Sequence, residues 1–140
     1  MGRISLSGYG INDICSTRLT RYLFMSSKLK KAMKEKYCIV LTTYADEENG
    51  KKIIDALLSQ RLAACVQVMP IQSYYHWQGK IAHDEEKILL IKTKTSLYDK
   101  VEETILAHHA YELPEVIQLP IATGFAGYLA WIEKECSSSD

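Results

Sequence analysis

Apolar residues along this chain follow two rhythms, a strand period of two and a helical period near 3.6, and the switches between them predict the elements. Tyr37-Cys38-Ile39-Val40-Leu41-Thr42-Thr43 is an unbroken apolar and β-branched run of strand length. Because it does not alternate, it predicts a strand covered on both faces and central in its sheet. Asp46 then offers a helix N-cap, with Glu47 and Glu48 at the positive end of the helix dipole. Ile53, Ile54, Leu57, Leu58 and Leu62 recur on one helical face, predicting a helix over 47–61.

The stretch Leu62–Lys94 reads as one long hairpin, turning at Gln78-Gly79-Lys80. On its first arm the larger aliphatics occupy even positions up to Val68 and odd positions from Ile71 through Tyr75 to Trp77. A change of parity within one strand predicts an inserted residue, a bulge that bends the arm near Met69 and Pro70. The return arm begins polar, through His83-Asp84-Glu85-Glu86, and ends in the apolar run Ile88–Ile91. Both arms exceed the usual strand of about five or six residues, so part of the hairpin is expected to project beyond one small domain and pair elsewhere.

Ser96 with Asp99 has the spacing of a capping box, opening a helix whose inner face is Leu97, Val101, Thr104, Ile105 and His108. Pro114 biases Leu113 away from helical angles, so this helix ends near His109. Residues 115–121 form a fourth strand, with Pro120 favouring a sheet edge. Phe125–Cys136 forms a last helix with Phe125, Tyr128, Leu129 and Ile132 inward, and the tail 137–140 is expected to be loose. The resulting order is the split βαβ, or ferredoxin-like, arrangement: an α+β fold with an antiparallel sheet, helices on one face, a long bent hairpin and a C-terminal helix. Strands one, three and four are apolar on both parities, and the last helix is too short to cover the helix-free face alone. Association of identical sheets is the economical solution.

Composition narrows the function classes. With 140 residues, 47% hydrophobic and 24% charged, the chain builds one globular domain. Residues 1–36 carry eight Lys or Arg against two acids, whereas the remainder carries nine against fifteen, so the folded part is acidic. Nucleic acid is not an expected partner. We read residues 1–35 as an N-terminal extension, either disordered or an organelle transit peptide, and 36–140 as the domain. Cys15, Cys38, Cys65 and Cys136 form no metal or disulfide spacing, which points to a reducing, cytoplasmic setting; an organelle is the alternative if the extension is a transit peptide. No apolar run is long enough to cross a membrane as a helix, so no membrane partner is expected. There is no phosphate-cradling glycine loop, no G-x-S-x-G and no H-E-x-x-H, so no enzymatic activity is expected.

Leu62-Ala63-Ala64-Cys65-Val66, Pro70, Ser73-Tyr74-Tyr75-His76-Trp77-Gln78-Gly79-Lys80-Ile81, Ile91-Lys92-Thr93, His109-Ala110-Tyr111-Glu112-Leu113-Pro114-Glu115 and Tyr128-Leu129-Ala130-Trp131-Ile132 together resemble the CutA divalent-ion tolerance family. The resemblance implies a ferredoxin-like homotrimer associated with copper(II) or other divalent cations, with no established reaction. It further implies a copper site at His108 and His109 with a cysteine near the end of strand one, where this chain has Thr42, a poor copper ligand beside a thiolate. Adjacent helical residues point about 100° apart, so the two histidines can share an ion only if the helix breaks between them. Ala110 replaces the proline of the family's His-Pro-Tyr-Glu motif. His108 also fits a structural histidine on an apolar helix face. Tyr74, Tyr75 and Trp77 fit subunit-interface packing, or a surface on which a ligand stacks. Asp84, Glu85 and Glu86 fit either a cation-attracting cluster or a solvated hairpin end. Two functions follow: a trimeric divalent-cation binding or response protein, and a trimeric ligand-sensing or scaffold module in which metal binding is incidental.

Overall fold

A computed structural model describes residues 35–137; the expectations for the extension before residue 35 and for the tail at 138–140 lie outside the described residues. The elements are β1 (Tyr37–Tyr44), α1 (Glu47–Ser59), β2 (Cys65–Trp77), β3 (Lys80–Lys94), a 3-10 turn (Thr95–Leu97), α2 (Tyr98–His108), β4 (Ile117–Pro120) and α3 (Ala126–Glu135). The sheet is fully antiparallel in the order β2-β3-β1-β4, the split βαβ arrangement that the element order predicts. β1 is central and Pro120 lies on an edge strand, as expected.

Register assigns the faces. Val40 pairs with Ile91 and Thr42 with Leu89, and these side chains, with Cys38, are completely buried beneath Ile53 and Leu57 of α1 and Val101 and Ile105 of α2. The opposite face carries Ile39 and Leu41 of β1, Ile88 and Leu90 of β3, and Ile117 and Leu119 of β4. α3 reaches across only one end of it: Ile132 joins the core, Tyr128 lies under Lys92 with Nζ 5.8 Å from the ring centroid, and Glu133 stands beside Tyr37 and Lys94.

The predicted bulge is absent. Every residue of β2 from Cys65 to Trp77 faces one residue of β3, with Met69 opposite Ile88 and Pro70 opposite Lys87, so the register runs unbroken. Pro70 is accommodated because β2 is an outer strand, where alternate amides point away from the ladder. The parity of the apolar residues changes because the covered face changes. Val66 and Val68 lie on the side that the helices cover, whereas Ile71, Tyr75 and Trp77 lie on the other side of the same strand where it projects past them. The two arms join through Gln78 and Gly79, both with positive φ (49° and 75°), the twist that a two-residue hairpin loop requires.

Local chemistry accounts for the remaining boundaries. Asp46 caps α1 by accepting from Asn49 N–H at 2.7 Å. The helix stops at Ser59 rather than 61, because Arg61 adopts a left-handed φ of 54° and the chain closes with Arg61 N–H donating to Leu58 O and Leu62 N–H to Leu57 O. The expected Ser96 capping box does not form; a 3-10 turn leads into α2 with no side-chain cap, since the buried Leu97 anchors that turn to the core. Phe125 is exposed at the start of α3 rather than inward, and His108 is exposed at the end of α2, one turn beyond the last buried position.

Gly50 sits buried in α1 with the ring of buried Tyr44 where a Cβ would stand. Gly50→Ala is therefore expected to cost about 1–3 kcal/mol through overpacking, more than the roughly 1 kcal/mol that alanine gains as a helix former. A lowered guanidinium unfolding midpoint is the expected result; a raised one contradicts the packing.

Candidate functional site at the end of α2

The helix breaks between the two histidines. His108 is the last residue of α2, while His109 is extended, with φ −74° and ψ 137°. Asn49 of α1 holds the break from outside, its Nδ2 donating to His108 O at 2.6 Å and its Oδ1 accepting from Ala110 N–H at 3.2 Å. One carboxamide thus satisfies an orphan carbonyl at the helix end and the first amide of the next segment.

The imidazoles diverge in their partners. His108 Nδ1 lies 2.8 Å from Thr104 O, one turn back; a carbonyl can only accept, so Nδ1 carries the proton and Nε2 is left as the available ligand atom. His109 Nε2 lies 2.9 Å from Thr43 O, and its Nδ1 accepts from Tyr111 N–H at 3.1 Å. The two partners fix a neutral Nε2–H tautomer and use both ring nitrogens. Burial lowers the His109 pKa below its ordinary value, against the weaker opposing pull of the Thr43 hydrogen bond and the Glu86 charge. Thr42, beside the carbonyl that receives His109, is fully buried on the helix side, and its Oγ1 has no hydrogen-bond partner among the described residues.

Tyr111 extends the arrangement. Its ring is tilted against His109 with centroids 4.9 Å apart, and its hydroxyl donates to Glu86 Oε1 at 2.7 Å. Burial, then that carboxylate, raises the phenol pKa well above its usual value. Tyr75 makes the matching bond to Asp84. Tyr74 stacks on His83 across the hairpin at 4.2 Å, and Tyr75 and Trp77 stand partly exposed on the other side of the strand.

These positions do not fit a resident copper ion. Thr42 presents an enclosed hydroxyl, His109 has no free nitrogen, and only His108 Nε2 is available. No group of three or more His, Cys, Asp or Glu among the described residues could hold a metal ion. Asn49, which organises the break, and the Tyr111–Glu86 pair were not singled out by sequence reasoning. The Asn49 contacts span about 60 residues, and no local pattern announces them.

Comparison with known proteins gives one consistent result. The profile of the family described as CutA1 divalent ion tolerance protein matches residues 38–135. The chain is 43% identical over 97 residues to the divalent-cation tolerance protein CutA of Thermus thermophilus, covering 69% of this chain and 94% of that one. It is 42% identical over 102 residues to the chloroplastic Protein CutA 1 of Oryza sativa, 72% of this chain and 58% of that relative. The chain thus spans somewhat over half the length of that plant protein. The crystal structure of CutA1 from Oryza sativa superposes with a TM-score of 0.71 at 40% identity, covering 76% of this chain and 98% of that one.

Because its folded-state pKa is lowered, His109 takes up a proton more readily in the unfolded chain. Stability is complete above the unfolded value near 6.5 and declines as pH falls from there towards the lower folded value. Denaturant midpoints measured between about pH 7.5 and pH 5.5 should fall in the native chain and fall less in His109→Gln. An identical decline in both contradicts the assignment.

Proposed function

The chain belongs to the CutA1 divalent ion tolerance family, and from that premise we propose that it acts as a homotrimeric, non-enzymatic divalent-cation binding or response protein. The observation that carries this reading is the helix-free sheet face, with Ile117 and Leu119 at 45% exposure in the single chain, continuing into Tyr75 and Trp77 on the projecting hairpin. Burial of each large apolar side chain contributes roughly 1.5–3 kcal/mol, and three copies multiply the gain. Tyr75 and Trp77, with Tyr74 on the reverse side of the strand, serve as contacts between subunits.

Cation association centres on the end of α2. His108 Nε2 is the first ligand, and His109 joins only after giving up its bonds to Thr43 and Tyr111. Copper(II) heads the divalent order for imidazole, so it binds best, but weakly without a thiolate. The alternative, a trimeric ligand-sensing or scaffold module with incidental metal binding, draws support from the commitment of both His109 nitrogens. The word chloroplastic in the names of the rice and Arabidopsis thaliana relatives favours an organelle over the cytoplasm.

Calorimetric titration with copper(II) of the native chain, His108→Ala, His109→Ala and Thr42→Cys tests the cation reading. The expected order is strongest binding in Thr42→Cys, weaker binding in the native chain and loss in His108→Ala, with affinity falling as pH drops through about 6.5. Equal affinity in all four places the ion elsewhere and favours the alternative.

A further inference from the structure

Asn49 and Gly50 of α1 are each fixed by a contact of their own. The Asn49 carboxamide spans the break at the end of α2, donating from Nδ2 to His108 O at 2.6 Å and accepting at Oδ1 from Ala110 N–H at 3.2 Å. Gly50 is buried, with the Tyr44 ring standing where a Cβ would go. The two contacts together place an Asn-Gly pair in the opening turn of the helix. The chain holds two asparagines, and only this one precedes a glycine.

Asparagine is a thermolabile residue, and a following glycine, without a side chain and with free backbone torsions, leaves the carboxamide most open to attack by its own main chain. The Gly50 nitrogen bonds to Asn49 Cγ, the Cγ–Nδ2 bond breaks, and ammonia leaves with the Gly50 amide proton. Water then opens the cyclic imide, adding its hydroxyl to one of the two imide carbonyl carbons and returning a proton to the Gly50 nitrogen. The product is aspartate or isoaspartate, and no oxidant or reductant takes part.

The folded chain opposes the first step at both reacting groups. Gly50 N–H is donated to Asp46 O at 3.0 Å, and the helix directs it along its axis rather than towards the Asn49 side chain. The carboxamide is held against α2, and Asp46 also caps the Asn49 N–H at 2.7 Å. Reaction therefore requires the first turn of α1 to open and the end of α2 to part from it.

We propose that Asn49-Gly50 is a site of hydrolytic deamidation gated by the contact between α1 and the end of α2, and that conversion irreversibly unfastens that contact. A carboxylate only accepts, so the product cannot donate to His108 O and sets a negative oxygen against it. The helix dipole favours a carboxylate at this position, but Asp46, Glu47 and Glu48 already occupy the turn. Isoaspartate also routes the main chain through Cγ, which interrupts the turn. Both residues belong to α1, on the side of the sheet opposite the helix-free face, and the step needs no partner but water. It invokes no ion, so it stands apart from the cation reading.

The test is peptide mapping by mass spectrometry of the full chain held at mildly alkaline pH, following the mass gain of NH2 replaced by OH in the fragment that carries Asn49. Conversion is expected to be slowest in the native chain and fastest in the chain unfolded in guanidinium. In Asp46→Ala, whose lost cap favours opening, it should run about fivefold faster than in the native chain, the equivalent of roughly 1 kcal/mol. Circular dichroism reports whether that variant is folded. Should it not be, the native rate in guanidinium below the unfolding midpoint carries the test and should rise with denaturant. Asn49→Asp, which stands in for the aspartate product, should melt about 4 °C lower than the native chain. Asn49 intact in the native chain after months, a native rate equal to that of the unfolded chain, or a rate unmoved by Asp46→Ala and by sub-denaturing guanidinium would overturn the gated site. Unchanged melting in Asn49→Asp would overturn the unfastening.

Discussion

The structure depends on a sheet that must bury two apolar faces while its own helices cover one. Val40, Leu89 and Ile91 disappear beneath α1 and α2, yet the residues beside them in sequence, Ile39, Leu41, Ile88 and Leu90, point the other way and are only half-buried. α3 covers one end of that second face through Ile132 and Tyr128. An apolar sheet face left open invites association, and a self-complementary patch satisfies it with no further sequence. The projecting hairpin obeys the same constraint: once past the helices, β2 moves its apolar residues from the helix side to the other side without any break in register.

The same architecture sets the chemistry available at the end of α2. Asn49 terminates the helix from the neighbouring α1, which frees His109 to turn inward, and the Thr43 carbonyl of the central strand receives it. A half-buried neutral imidazole donating at one nitrogen and accepting at the other is a structural bridge between strand and loop, and any ion must compete with both bonds. Exposed His108 is differently placed, with one nitrogen satisfied within its own helix and the other open. The two adjacent histidines therefore differ in role, one holding the loop and one facing outward. Tyr111, held next to His109, carries that order on to Glu86 of β3.

Much of the fold was legible because it is periodic. The non-alternating run at 37–43 marks a central strand, and the spacing Ile53, Leu57 marks the inner face of α1. The parity change near Pro70 was legible but ambiguous, since an inserted residue and a change of covered side leave the same trace in sequence; only pairing separates them. Ser96 and Asp99 have cap spacing, but burial of Leu97 overrides the local preference with a 3-10 turn. Phe125 has helical spacing with Tyr128 and Leu129 yet precedes the helix as its exposed N-cap residue. The site was the least legible part. Pro114 announces that α2 must end before it, but the Asn49 carboxamide that places the break after His108 and the Thr43 carbonyl that receives His109 lie about 60 or more residues from their partners in sequence.

The central claim is that the helix-free face is an interface between copies. Sedimentation equilibrium of the unmodified chain at micromolar concentration tests it most directly. The account predicts a single species with the mass of three 15.9 kDa chains. A stable, soluble species with the mass of one chain contradicts it.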